Sequence, residues 1–198
     1  MTDVMPDHSN KFAVWISRIV HPFLLPIPST VVMLSGNPLG EVVKWTVIVL
    51  GMLLVPGIAL AAWSRRRGRH LHVRESRNML YLIAWGLIFA CFAVVALGGA
   101  PRELVASIGA MVVWIPMQWA INRYVTKISM HSAVATGSFM TLLMAGKLVH
   151  PALVIGYLII VLLTLWSRIE TRNHSVLQVM MGALGGVLPV LIVFPLVL

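Results

Sequence analysis

Seven apolar stretches recur along this chain of 198 residues, at about 12–34, 43–63, 78–98, 101–121, 132–149, 151–167 and 175–198. Most are long enough to cross a hydrocarbon layer of about 30 Å, and that one feature limits the fold more than any other. Lipid offers no water to backbone amides, so a spanning segment must satisfy them within a helix or a closed barrel. The stretches lack the strict alternation of barrel strands. The expectation is therefore an all-α integral membrane protein, a single transmembrane domain over 1–198 with a polar amino-terminal tail over 1–11. Composition agrees, with 59% hydrophobic and 11% charged residues and a mean hydropathy of +0.92. The first stretch contains "HPFLLPIPST", with three prolines. It reads as either a kinked span or a re-entrant piece, so the bundle is expected to hold six or seven transmembrane helices.

The formal charge of +9 would point to nucleic acid in a soluble protein. Here the arginines flank apolar stretches, and topology and anionic membrane lipids explain them without a nucleic-acid partner. With seven crossings, twelve of the fifteen basic residues share one side: Lys11, Arg18, Arg65, Arg66, Arg67, Arg69, Arg74, Arg77, Arg123, Lys127, Arg168 and Arg172. Lys44, Arg102 and Lys147 take the other. The positive-inside bias then makes the basic side cytoplasmic, which fits a bacterial inner membrane. Cys91 is the single cysteine, so no internal disulfide forms. No cleavable signal peptide is read at the amino terminus.

Three polar loops fall on that basic side, and their contents complement one another. "VRESRN" carries Arg74 and Arg77, "RYVTKISMH" carries Lys127, Ser129 and His131, and "SRIETRNH" carries Ser167, Arg168 and His174. If the loops converge, several cations and hydroxyls meet two histidines, with only Glu75 and Glu170 to offset the charge. Guanidinium forks and an ammonium suit a phosphate, and a helix N-terminus adds to the field. Two imidazoles turn binding into chemistry, one attacking phosphorus and the other protonating the departing alcohol. This arrangement calls for no metal and no cofactor, and the chain lacks a dense His-Glu-x-x-His type spacing.

These residues resemble the type 2 phosphatidic acid phosphatase (PAP2) superfamily of membrane lipid-phosphate phosphatases. Its Ser-Arg-x5-His-x3-Asp motif is matched by Ser167, Arg168 and His174. Part of its Pro-Ser-Gly-His motif is matched by Ser129 and His131 in "ISMH". Its Lys-x6-Arg-Pro motif is matched by Arg77, with Asn78 for the proline and His70 for the lysine. "VRESRNMLY" also looks like an Asp-Arg-x-x-Arg variant of that motif, which would use both Arg74 and Arg77. The motif-bearing part runs from about 70 to 186. The resemblance implies His174 as nucleophile, His131 as general acid, and Arg74, Arg77, Lys127, Ser129 and Arg168 as phosphate ligands. It also implies PAP2-like active-site loops on one face, a phosphohistidine intermediate, and a phospholipid or polyprenyl phosphate as substrate. One departure stands out. Gln178 occupies the place of the motif's aspartate, where its carbonyl can orient His174 but brings no negative charge. The expected result is a weaker nucleophile.

Two other readings compete. A transporter of an anionic substrate predicts ionisable residues deep within the spans, and the chain has almost none there. A catalytically silent binder of anionic lipid is the reading that Gln178 keeps open. His8, His21 and His150 are assigned no chemistry. Gly182 with Gly186, and Ala133 with Gly137, are small-residue pairs four apart, which predict close helix packing just behind the two histidine loops, or a dimer contact. The twelve methionines and seven tryptophans read as lipid-facing bulk and interface anchors.

Overall fold

The structure, a computed structural model, describes residues 10–66 and 74–198, and their side chains except at 61, 64, 65 and 74–79. Helices account for all the regular structure among these residues. They are α1 (Lys11–Ile19), α2 (Pro26–Leu34), α3 (Leu39–Arg66), α4 (Arg74–Leu97), α5 (Arg102–Tyr124), α6 (Met130–Met144), α7 (Pro151–Glu170) and α8 (Val176–Val197). Five of them, α3, α4, α5, α7 and α8, are long and apolar enough to cross a membrane. This is an all-α integral membrane protein.

The first apolar stretch folds as two short helices. Pro22 follows His21, and a residue before proline is pushed out of the helical region. Pro26 then opens α2 at its first position, where a missing N–H costs nothing. Despite the break, the segment keeps an antiparallel order relative to α7 and the turn before it, although α2 packs mainly against α3, α5 and α6. Phe12 and Trp166 have ring centroids 6.0 Å apart, Ser29 and Tyr157 share a hydrogen bond at 3.2 Å, and Lys147 Nζ donates to the Ser35 carbonyl at 2.7 Å. Thus α1 packs on α7, while α2 continues toward the other end of the bundle between α3, α5 and α6.

The remaining helices alternate in direction. In α4 and α5, Phe92 lies against Gly109 and Trp85 Nε1 donates to the Val112 carbonyl at 3.0 Å. That carbonyl is the one left free by Pro116, which has no N–H to return four residues back. An indole from the next helix thus supplies the donor that lipid cannot. The core between α3, α4 and α5 is built from Trp45, Cys91, Val95, Leu104 and Ile108. Antiparallel to α5, α8 meets it through Ala106 and Ala110 packed on Val190 and Phe194.

The tightest contact joins α6 to α8, which run parallel. A Cβ on Gly186 would lie 2.1 Å from the Ala133 carbonyl oxygen, and one on Gly182 would lie 2.5 Å from that of Ser129. Gly137 faces the Gly186 carbonyl in the same way, at 3.1 Å. The two small-residue pairs therefore meet each other within one chain. Thr136 Oγ1 donates across the seam to the Ala183 carbonyl at 2.9 Å. At 15 residues, α6 is about 22 Å long at 1.5 Å per residue, shorter than its neighbours.

These contacts predict the effect of added methyl groups. Gly186→Ala meets backbone on α6 and is expected to destabilise the protein by about 1–3 kcal/mol. Gly156→Ala, on α7 with nothing within 4 Å, is expected to be neutral or slightly stabilising. Thermal unfolding in detergent compares the two.

Candidate active site

The helix directions place the ends of α3, α5 and α7 and the starts of α1, α4, α6 and α8 at one end of the bundle. The 125–129 and 171–175 connections therefore lie side by side. Both are short, and both deliver a helix N-terminus.

The 171–175 turn is built by local rules. Thr171 closes α7, and Arg172 adopts φ 53°, a left-handed conformation rare without glycine. The His174 amide then returns to the Arg168 carbonyl at 3.3 Å. Ser175 caps α8 in a capping box with Gln178. Gln178 Oε1 accepts from the Ser175 amide at 3.3 Å and lies 3.2 Å from His174 Nδ1. The Gln178 Nε2 group donates to Thr126 Oγ1 at 3.4 Å. An amide N–H can only donate, so the bond from Ser175 fixes which end of the Gln178 side chain is the oxygen. That oxygen in turn requires a proton on His174 Nδ1, so in neutral His174 the unprotonated ring nitrogen is Nε2.

His131 is the second residue of α6, half-buried. It hydrogen-bonds the backbone of Ser17 and lies within electrostatic range of Arg168, His21 and His174. Its ring meets that of His21 edge-on, with centroids 5.5 Å apart and planes at 82°. The Phe23 amide donates to His21 Nδ1 at 3.3 Å, so neutral His21 carries its proton on Nε2. The guanidinium of Arg168 donates from Nη1 to Ser17 Oγ. Its Nε is buried without a hydrogen-bond partner.

The structure thus brings His131 within electrostatic range of Arg168 and His174, with Gln178 bonded to His174. It also adds Ser17, His21 and Thr126, which the motifs do not include. His21 looked inert as a residue before proline, but the break between α1 and α2 turns it onto His131. Ser129 is fully buried and caps α6 by accepting from the Ser132 amide at 3.4 Å, while its own amide donates to the Gln178 carbonyl at 3.2 Å. Lys127 is half-buried in the 125–129 connection. The backbone of Arg74 and Arg77 opens α4 at the same end, but their side chains, with Arg67, Arg69 and His70, lie outside the described residues. His150 serves as the N-cap of α7, accepting from the Ala152 amide at 3.2 Å. Among the described residues, no three His, Cys, Asp or Glu side chains converge as metal ligands.

Compared with protein-family models, curated proteins and solved structures, the chain gives no match.

The Gln178 contacts predict a spectroscopic signature. In histidine-labelled protein, the 15N shifts of neutral His174 are expected to report the Nδ1–H tautomer. Gln178→Leu should move that pattern toward Nε2–H and lower stability by about 1 kcal/mol through loss of the capping box. An unchanged pattern would count against the contact.

Proposed function

We propose that this chain is a membrane-embedded lipid-phosphate phosphatase that works through a phosphohistidine. The observation that carries this reading is the pairing of a tautomer-fixed His174 with His131, beside the buried Nε–H of Arg168. A buried guanidinium N–H without an acceptor is costly, and a phosphate oxygen would satisfy it.

In this mechanism the His174 Nε2 lone pair attacks phosphorus. The bond from phosphorus to the substrate's bridging oxygen breaks, and His131, which takes up a proton from the entering phosphate monoanion, gives it to the leaving oxygen. His131, now neutral, takes a proton from water as that water attacks the phosphohistidine. The N–P bond breaks, His131 passes that proton to the departing inorganic phosphate, and both imidazoles are neutral again. Arg168, Lys127 and the pair Arg74 and Arg77 stabilise charge on the equatorial oxygens. Gln178 holds the His174 tautomer and His21 offers Nε2–H at the rim. Ser129 acts by fixing the start of α6, which aims His131.

The substrate in this reading is a lipid phosphomonoester or an isoprenoid diphosphate, such as phosphatidic acid, phosphatidylglycerophosphate or a polyprenyl diphosphate. Its headgroup reaches the polar end of the bundle while its tail stays at membrane depth. The reading has seven crossings, with α1–α2 as one broken crossing and α6 as a short one. In this reading the site lies on the cytoplasmic face of a bacterial inner membrane, supported by the positive-inside bias of the basic residues at that end.

The test is phosphate release from these lipid classes in detergent without added divalent cation, with vanadate as inhibitor. His174→Ala is expected to abolish turnover, and His131→Ala to lower it by about 10²–10⁴-fold. His150→Asn, which keeps the α7 cap, should leave turnover unchanged. Full activity in the His174 variant removes the mechanism. No release from any of these lipids makes the pocket a headgroup binder without turnover.

A further inference from the structure

Below the histidine pocket the helices surround a second feature that the phosphate chemistry leaves unused. A cavity of about 280 Å³ lies between α2, α3, α4, α5, α6 and α8. Its walls are almost wholly apolar. Phe23, Met33, Leu53, Ala84, Met111 and Trp114 contribute from four of the helices and from the α1–α2 break.

Its lining includes chain neighbours of two residues of the candidate active site. Pro22 and Phe23 line it immediately after His21, and Met130 and Ala133 line it on either side of His131 in sequence. The two residues whose rings meet edge-on at the site thus belong to the two segments that form the cavity's upper wall. Residues 20–25 are non-helical, so the break in the first segment carries both His21 and the cavity-lining Pro22 and Phe23. Phe23 stands there with its ring over Gly57 of α3, whose added Cβ would lie 3.4 Å from it. On the far side the walls reach Leu104 and Ile108, near the opposite end of the bundle.

Size restricts what can enter. An engineered apolar cavity of about 150 Å³ takes one benzene ring. A volume less than twice that accepts a slender chain segment, not two chains side by side. Apolar walls bind hydrocarbon, and the adjoining imidazoles and guanidinium bind its phosphate.

We infer that this cavity takes the hydrocarbon chain of a single-chain lipid phosphate or diphosphate, drawn inside the helix bundle past Phe23 while its headgroup sits between His131 and His174. The inference rests on the phosphatase reading for the identity of the headgroup site, and on the cavity itself for the chain.

Two measurements separate these. In the first, Ala84→Phe and Leu53→Phe fill the cavity from α4 and α3. Each is expected to raise KM for farnesyl diphosphate by about tenfold or more, through lost binding of the non-reacting part of the substrate. The KM for dimethylallyl diphosphate, too short to enter, and for dioleoyl phosphatidate should stay within about twofold. Equal shifts for the short and long prenyl substrates, no shift for either, or an equal shift for the diacyl lipid would overturn the inference. The second measurement needs no turnover. A farnesyl diphosphate analogue with a diazirine at its tail end is photolysed with the purified protein. Adducts on Met33, Met111 or Trp114 are expected, whereas adducts confined to the outward-facing Leu82, Phe89 or Leu162 would overturn the inference. Cavity adducts without any phosphate release from these substrates would leave the chain site standing and remove the phosphatase reading.

Discussion

The close approach of α6 to α8 is the contact on which the polar end of this protein depends. Glycine at 182 and 186 lets the α8 backbone reach the carbonyls of Ser129 and Ala133, and Thr136 spans the same seam. In lipid, apolar side chains gain little by leaving one apolar surface for another, so such backbone proximity and interhelical hydrogen bonding carry the association. The consequence is felt one turn above. With the two helices in this register, the Ser129 amide reaches the Gln178 carbonyl and the Gln178 side chain reaches Thr126. The two connections are thereby tied together, with His131 in the first turn of α6 and His174 just before the N-cap of α8.

Gln178 sits at the centre of that tie and has several roles. It closes the capping box of α8, receives His174 Nδ1, and donates to Thr126. An aspartate at this position has a shorter side chain and no donor, so it would not reproduce the whole set of bonds. The missing negative charge is one side of the exchange, and a rigidly held tautomer is the other. Polar groups elsewhere follow the same accounting. Trp85 answers the carbonyl that Pro116 leaves free, and Ser29, Thr30 and Thr164 return their hydroxyls to carbonyls four residues back.

Much of this was legible in the sequence, because hydropathy and small-residue spacing are one-dimensional signals. The long apolar stretches mark α3, α4, α5, α7 and α8. The spacing of Gly182, Gly186, Ala133 and Gly137 marks the α6–α8 seam. The S-x-x-Q of Ser175 and Gln178 is likewise a readable capping box, although it is easily passed over when Gln178 is compared only with an aspartate. What the sequence did not carry is the partner of the proline break. Three prolines announce that the first stretch is interrupted, but whether His21 then faces lipid or His131 depends on α1 packing against α7. Ser17 enters the pocket for the same reason, through a helix that touches no motif. Ser129 shows the opposite limit. As a residue type it suits a phosphate, and its place before a helix also makes its oxygen the cap of α6.

The central claim is that His131 and His174 face one another across a single pocket at one end of the bundle. It is tested most directly by replacing both with cysteine in a Cys91→Ser background and treating sealed vesicles with thiol reagents. The account predicts that both cysteines are modified from the same side and that a short bifunctional reagent joins them within one chain. Modification from opposite sides of the membrane, or same-side modification without any joining, would contradict it.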